Sequence, residues 1–510
     1  MNKTQLIRNL FVPRQKVLDR YTTEAETLQR KVLARLIGKG RKTLWGWEHS
    51  FDKIDSYEDF AQLVPVNDYE DLKNYIDRMR HGEKDVLWPG QVRWYAKSSG
   101  TTNDKSKFIP VTQDALRDTH YQGGKDAVVW YLRNTPNSRL FDGKALILGG
   151  SHQPNFNLPH SLVGDLSAIL IENINPLVNL IRVPKKATAL LSGFEVKRDR
   201  IAREAISQRV TNLSGVPSWM LSVLTRVLEV SGKEHINEVW PDLEVFWHGG
   251  VAFTPYREQY RRIITNPDMH YMETYNASEG FFGLQDDPQD KAMSLMVDYG
   301  VFYEFIPMDE LGTTDASPLP LWEVETGRNY AMIITTSSGL WRYMIGDMVR
   351  FTSTNPYKFV ITGRTKSFIN AFGEELIVDN AEQGLEIACR ETGAEVREYT
   401  AAPVFMVEHG HCRHQWVIEF SKEPADLEQF ATRLDLALQT LNSDYEAKRY
   451  KDITLQRLEI IVARPNLFND WLRSQGKLGG QHKVPRLSND RKIIEEIMRP
   501  LPPALPEGRE

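Results

Sequence analysis

The sequence predicts an α/β protein, with a large multi-sheet N-terminal domain and a small α+β C-terminal domain. Three observations carry this. Residues 1 to 80 place apolar and charged side chains at helical spacing. From Arg93 onward, short β-rich pieces alternate with helical ones: KALILGG, LEVFWHGG, HYMETYN, LMVDYGVFYEFIP and YAMIITTSSGLWRYMIGDMVRFT. Such alternation marks layered α/β folds. Beyond a break at Gly363 to Lys366 the pattern changes to helix, hairpin and helix, which divides the chain into residues 1–364 and 365–510. A length of 510 residues also exceeds what one ordinary core supports.

Taken in order, SYEDFAQLVPVNDYEDLKNYIDRMRHG gives two helices split at Pro65, with Ser56 and either Asn67 or Asp68 as caps. YMETYNASEGFFG is a strand running into a turn that carries Glu279 beside Gly280. YKFVITGRTKSFINAFGEELIV gives a strand, a turn holding Gly363 and Arg364, and further strands. VDNAEQGLEIACRETG is a helix, AAPVFMVEHG with HCRHQWVIEFS a hairpin, and ADLEQFATRLDLALQTL an amphipathic helix. The Pro-rich RPLPPALPEGRE is expected to fray. No internal repeat is visible.

Composition narrows the function classes. Hydrophobic residues are 41% and charged residues 26%, as in soluble globular proteins. A net charge of −5 offers no basic excess for nucleic acid. Cys389 and Cys412 are the only cysteines, too few for a disulfide framework, and no C-x-x-C occurs. A reducing compartment follows. The first residues lack the apolar core of a signal peptide, and no apolar run is long enough to span a bilayer. The expectation is a cytoplasmic enzyme with neither nucleic-acid nor membrane partners.

Five segments carry chemistry. SSGTTNDKSKFIP crowds hydroxyls, a glycine and two lysines, a composition that can cradle phosphate and equally describes a polar turn. It is not a Walker A loop. Glu279 suits an oxygen ligand for Mg²⁺ or a solvated turn. Asp347 in RYMIGD suits a ribose diol or a turn aspartate. Gly363 and Arg364 suit a hinge or a surface turn. Lys483 in GKLGGQHKVPRLS suits charge neutralisation on phosphate or plain surface. His409, His411, Cys412 and His414 in EHGHCRHQW invite a metal site, but their spacing sends them to alternate faces of a hairpin.

In order along the chain, SSGTT with its lysine, the GG loop of FWHGGVAFTPYR, YNASE, RYMIGD, TGRTKSFINAFGEEL and the C-terminal lysine loop resemble the adenylate-forming superfamily of acyl-CoA synthetases, nonribosomal adenylation domains and luciferases. Within it the likeness is to the plant auxin-responsive acyl acid–amido synthetases and their bacterial relatives. QHKVPR resembles that family's Q-Y-K-[TV]-P-R, and VWPDLEVFWHGG its W-P-N-L strand. The likeness runs over nearly the whole chain from about residue 60.

The resemblance implies ATP and Mg²⁺ as cofactors, and a small carboxylic acid and an amino acid as substrates. It implies that Ser98, Ser99, Gly100, Thr101 and Thr102 cradle the ATP phosphates with Lys107 nearby. Gly250 of the GG loop and Tyr275, Asn276 and Ala277 would line the nucleotide pocket, and Glu279 would help hold Mg²⁺. Asp347 would bind the ribose, with Arg364 at the hinge and close to it. Lys483 would bridge the carboxylate and the α-phosphate. Trp219 and Met220 in VPSWML would line an acyl pocket or belong to the core. Asn103 stands where the superfamily usually has glycine, and Lys366 where the hinge is often aspartate. An acyl-CoA ligase and a non-catalytic nucleotide or acyl binder remain as alternatives.

Overall fold

The computed structural model describes residues 3–98, 107–250, 253, 256–313, 316–365, 368–369, 374, 376–407, 411–449, 455–475 and 484–499. The chain is a mixed α/β protein of two compact units. One comprises Met1–Ile345 with Val349–Val360, the other Gly346–Met348 with Ile361–Glu510.

The larger unit opens with helices, among them Ala25–Gly40, Tyr57–Leu63 and Tyr69–Arg80. Local chemistry sets their starts. Ser56 Oγ accepts from Asp59 N and the Asp59 carboxylate accepts from Ser56 N, both at 3.0 Å. Asp68 and Asp71 repeat the arrangement one helix later. Such caps are worth about 1 kcal/mol each. Asn67, the other candidate cap, instead donates to the carbonyls of Pro65 and Trp341.

The strands of this part follow as β1 (Trp94–Ser98), β2 (Lys107–Val111), β3 (Lys144–Ile147), β4 (Leu162–Gly164), β5 (Arg182–Val183), β6 (Val210–Gly215), β7 (Val245–His248) and β8 (His270–Ala277). After them come β9 (Gly280–Leu284), β10 (Met293–Leu295), β11 (Val301–Pro307), β12 (Leu319–Pro320), β13 (Asn329–Thr336), β14 (Tyr343–Thr354) and β15 (Tyr357–Arg364), of which Gly346–Met348 in β14 and residues 361–364 in β15 belong to the smaller unit. A small sheet has the order β2-β1-β4. A twelve-stranded sheet has the order β12-β11-β13-β14-β15-β10-β9-β8-β7-β6-β3-β5.

Strand β8 is the seam of the large sheet. It runs parallel to β7 and antiparallel to β9. On one side β5, β3, β6, β7 and β8 are all parallel. The last residue of β7, His248, pairs with Glu273, so Thr274–Ala277 run on past the carboxyl edge by about 13 Å at roughly 3.3 Å per residue.

Two apolar clusters hold this unit. One joins the N-terminal helices to the antiparallel strands through side chains such as Leu36, Phe302, Tyr303 and Trp341. The other lies over the parallel strands, around Phe246, Trp240 and Tyr260. Met220, on helix Pro217–Ser231, belongs to the second core, and Trp219 packs against it.

The smaller unit contains β16 (Phe368–Ile369) and β17 (Leu376–Ile377), the helix Val378–Thr392, and the hairpin β18 (Glu395–Val407) and β19 (His411–Lys422). Helix Leu427–Leu441 packs on Val378–Thr392, and β20 (Glu459–Val462) runs parallel to β19. Here the expected order of helix, hairpin and helix is the observed one. The turn expected at Gly363 and Arg364 is not, since both are the last residues of β15. Pairing within the sheet overrides the glycine's tendency to end a strand. Lys366 and His409 lie outside the described residues.

His414, one of the four residues that suggested a metal site, gives Nε2 to the Glu374 carboxylate at 2.7 Å, with both side chains fully buried. Among the described residues no group of three or more His, Cys, Asp or Glu could hold a metal ion. Cys389 and Cys412 are free thiols. Among the described residues no helix is long and apolar enough to cross a membrane.

Candidate active site

In the larger unit the predicted residues gather at strand ends. Ser98 closes β1 and Lys107 opens β2, and the two are register partners. Ser99, Gly100, Thr101 and Thr102 lie outside the described residues, as does Asn103. The Lys107 ammonium donates to Tyr343 Oη at 3.3 Å. It also stands 5.5 Å from the Tyr69 ring centroid and 5.9 Å from that of Tyr343. Aromatic faces and a phenol oxygen thus hold a cation at the mouth of the β1–β2 hairpin.

At the end of β7 two glycines do different work. A Cβ on Gly249 would lie 2.3 Å from the Thr274 carbonyl oxygen, so only glycine lets the chain pass so close to β8. Gly250 has φ +81° and is exposed. Before them, His248 is buried and stacks on Phe253 with centroids 4.3 Å apart.

The far end of β8 holds the next group. Tyr275 is buried and turns its ring edge-on to Phe282, with centroids 4.9 Å apart, so it props the strand from the core side. Asn276 and Ala277 are half-buried. The ladder to β9 slips between Tyr275 and Asn276, a bulge of the kind that re-aims side chains. The turn then places Glu279 only 8% exposed, where a turn glutamate is ordinarily solvated. A single enclosed carboxylate fits Mg²⁺, which takes one or two protein carboxylates and otherwise phosphate and water oxygens.

The smaller unit holds the other predicted residues. Asp347 lies within β14 rather than in a turn, just after Gly346 at φ +89°. Arg364 Nε donates to Asp347 Oδ1 at 2.7 Å, so the two residues predicted for the ribose form one ion pair. Lys483 lies outside the described residues. The chain just after it is clamped to β18: Thr400 Oγ1 donates to Pro485 O at 2.7 Å, and Ala401 N to Arg486 O at 2.9 Å. Arg486 itself pairs with Glu398 and Glu382 and covers the Tyr399 ring.

Two polar residues had no sequence signal. Lys197 is buried, and its ammonium donates to the carbonyls of Gly149 at 2.5 Å and Gly150 at 2.9 Å, bracing the turn after β3. Burial pushes it down to about 8. His120 contacts Asn276, with Nδ1 3.1 Å from Oδ1.

The buried histidines predict a pH dependence of stability. Burial pushes His120 down to about 4 and His248 to about 3, from 6.5. Below pH 6.5 the unfolded chain therefore binds protons that the folded chain refuses. Stability is expected to fall as pH drops from about 6.5 toward 4, by about 1.4 kcal/mol per unit for each histidine. Urea midpoints between pH 7 and pH 4.5 check this. An identical slope in a double variant, His120→Asn with His248→Asn, would assign the loss to other groups.

Comparison with known proteins places the chain. Residues 14–269 match the GH3 family N-terminal domain, 294–364 the GH3 family central domain and 379–492 the GH3 family C-terminal domain. The indole-3-acetic acid-amido synthetase GH3.8 of Oryza sativa subsp. indica is 26% identical, over 95% of this chain and 92% of its own length. The 4-substituted benzoates-glutamate ligase GH3.12 of Arabidopsis thaliana is 23% identical, over 95% of this chain and 96% of its own. The solved structure of AtGH3.15 acyl acid amido synthetase in complex with 2,4-DB is 17% identical with a TM-score of 0.76, covering 95% of each chain, which shows a shared fold. With its three domains matched in order, and the first alone taking in half of its length, the chain belongs to the GH3 family.

Proposed function

We propose that the chain is an ATP-dependent acyl acid–amido synthetase. It adenylates a small carboxylic acid, releasing pyrophosphate, and passes the acyl group to the amine of an amino acid. The observation that carries this is the extent of the likeness: two amide-forming relatives align over nearly their whole length and nearly all of this chain.

In this reading residues 1–364 hold ATP and the acid, and residues 365–510 carry Lys483. The carboxylate and the α-phosphate are both anions, so cations must screen their repulsion and meet the charge that develops on phosphorus. Lys107 stands at the mouth of the phosphate loop, which contains Ser99, Gly100, Thr101 and Thr102. Ser98 and Gly250 border the nucleotide, with Tyr275, Asn276 and Ala277 along β8. Asp347 accepts from the ribose hydroxyls, and Arg364, its ion-pair partner, orients it. Mg²⁺, when bound, would supply charge neutralisation on the phosphates beside Glu279. No side chain needs to form a covalent intermediate, because the acyl adenylate is already an activated anhydride that an amine attacks.

The test is pyrophosphate release from ATP and Mg²⁺ with pooled acids, with or without mixed amino acids or CoA. Indolyl and benzoic acids come first, since one relative is an indole-3-acetic acid-amido synthetase and the other a 4-substituted benzoates-glutamate ligase. Release that depends on acid, rises with amino acids and yields an amide by mass spectrometry is the expected result. Release that rises only with CoA would replace the amide with a thioester. ATP binding without release for any acid pool would count against catalysis.

A further inference from the structure

Residues Leu116–His120 form a single π-helical turn that opens the helix Tyr121–Asn134. Turns of this kind are rare, and they concentrate at functional sites. Far along the chain, the β8–β9 ladder carries its bulge between Tyr275 and Asn276. The two irregularities meet in one hydrogen bond, from His120 to the Asn276 side chain at 3.1 Å.

That bond is an unusual use of a histidine. His120 is only 4% exposed, and among the described residues its Nε2 has no hydrogen-bond partner. A buried polar atom left unpaired is a net cost. A leucine would fill the space without that cost, so what the imidazole adds is its bond to Asn276. The neighbourhood is also rigid. Gly123 packs so tightly that a Cβ there would lie 2.4 Å from the Phe281 ring, and a Cβ on Gly280 would meet Thr119 Cγ2 at 3.5 Å. The π-turn and the β8–β9 hairpin are therefore interlocked around this pair.

We propose that His120 is a positioning residue for nucleotide binding: its Nδ1–H takes the Asn276 carbonyl oxygen and so fixes which way that amide faces. A carboxamide is planar, with oxygen and nitrogen on opposite arms. Committing Oδ1 to His120 turns Nδ2 away and holds two N–H donors for acceptor atoms of the nucleotide. The proposal rests on the assignment of β8 to the nucleotide. Desolvation keeps the imidazole neutral, with one N–H, through the physiological range.

The experiment measures ATP affinity by calorimetry with Mg²⁺, and thermal midpoints, for His120→Ala, His120→Asn, His120→Gln and Asn276→Ala. His120→Ala is expected to weaken ATP by about tenfold. His120→Asn puts an amide nitrogen where Nδ1 stands and is expected to recover most of the loss. His120→Gln puts it where Nε2 stands and is expected not to. Adding His120→Ala to Asn276→Ala should weaken ATP no further. Equal losses in the Ala, Asn and Gln variants, or losses that follow only the thermal midpoint, would overturn the proposal in favour of space filling. Weakening by Asn276→Ala without weakening by His120→Ala would overturn it alone. No change in Asn276→Ala would remove the strand from the nucleotide and take the proposal with it.

Discussion

Replacing Arg342 with methionine is expected to lower stability by about 3–5 kcal/mol, a large effect for a change outside the apolar cores. Arg342 is 4% exposed and Glu304 1%. Their bond is bidentate, with Nε to Oε2 at 3.0 Å and Nη2 to Oε1 at 2.8 Å. Tyr57 Oη adds a third bond to the same carboxylate at 3.0 Å. Glu304 sits mid-strand in β11, whose seven residues are all buried. Methionine matches much of the arginine's volume but leaves that carboxylate without its cation. Burial already pushes the Glu304 carboxyl up, and only Arg342 and the hydrogen bonds oppose this.

Pairing Arg342→Met with Glu304→Leu is expected to recover much of the loss, because the desolvation cost of both charges disappears. Recovery stays incomplete, since Arg342 Nη1 also donates to the carbonyls of Ala61 and Val64 at the end of helix Tyr57–Leu63. Urea unfolding of the two variants is the measurement, and a loss below about 1 kcal/mol in the single variant would show that the pair contributes little.

The second large effect is catalytic. Lys483→Ala is expected to slow acyl-adenylate formation by about 10²–10³-fold, as removal of one charge-stabilising donor does elsewhere, with ATP affinity changed by no more than about threefold. The described chain resumes after Lys483 at residue 484, and Pro485 and Arg486 are bonded to β18. Single-turnover pyrophosphate release, set beside calorimetry with ATP, separates the two quantities. Unchanged release would take Lys483 out of the chemistry.

Where an element is set by neighbours in sequence, reading the chain finds it. The caps at Ser56 and Asp68 need only a carboxylate three residues on, and the turn at Glu279 needs only the strand before it and a glycine after it. Gly363 and Arg364 were misplaced because local rules end a strand at glycine, while β15 is held by partners elsewhere in the sheet. The choice of Asp68 over Asn67 turned on a carbonyl at Trp341, far away in sequence. His120 could not be found at all. A lone histidine in a helical stretch has no pattern, its partner is 156 residues distant, and a π-turn leaves no mark on hydrophobic periodicity.

The seam at β8 has a kinetic meaning. Its antiparallel neighbour β9 is reached through two connecting residues, 278 and 279, so that pairing is local and hairpins of this kind close in about 1–10 μs. The parallel side is different. Lys144 of β3 must find Val210 of β6 across several helices and two strands, and His248 of β7 must find Glu273 across the helix Arg257–Ile263. Pairings of high contact order form late, because chain entropy is spent before any contact returns it. By contact order, the β8–β9 pairing is expected to form before the parallel half extends the sheet. The stretch carrying Tyr275, Asn276 and Ala277 is then expected to take its shape, bulge included, from its neighbour in the hairpin rather than from the distant parallel strands.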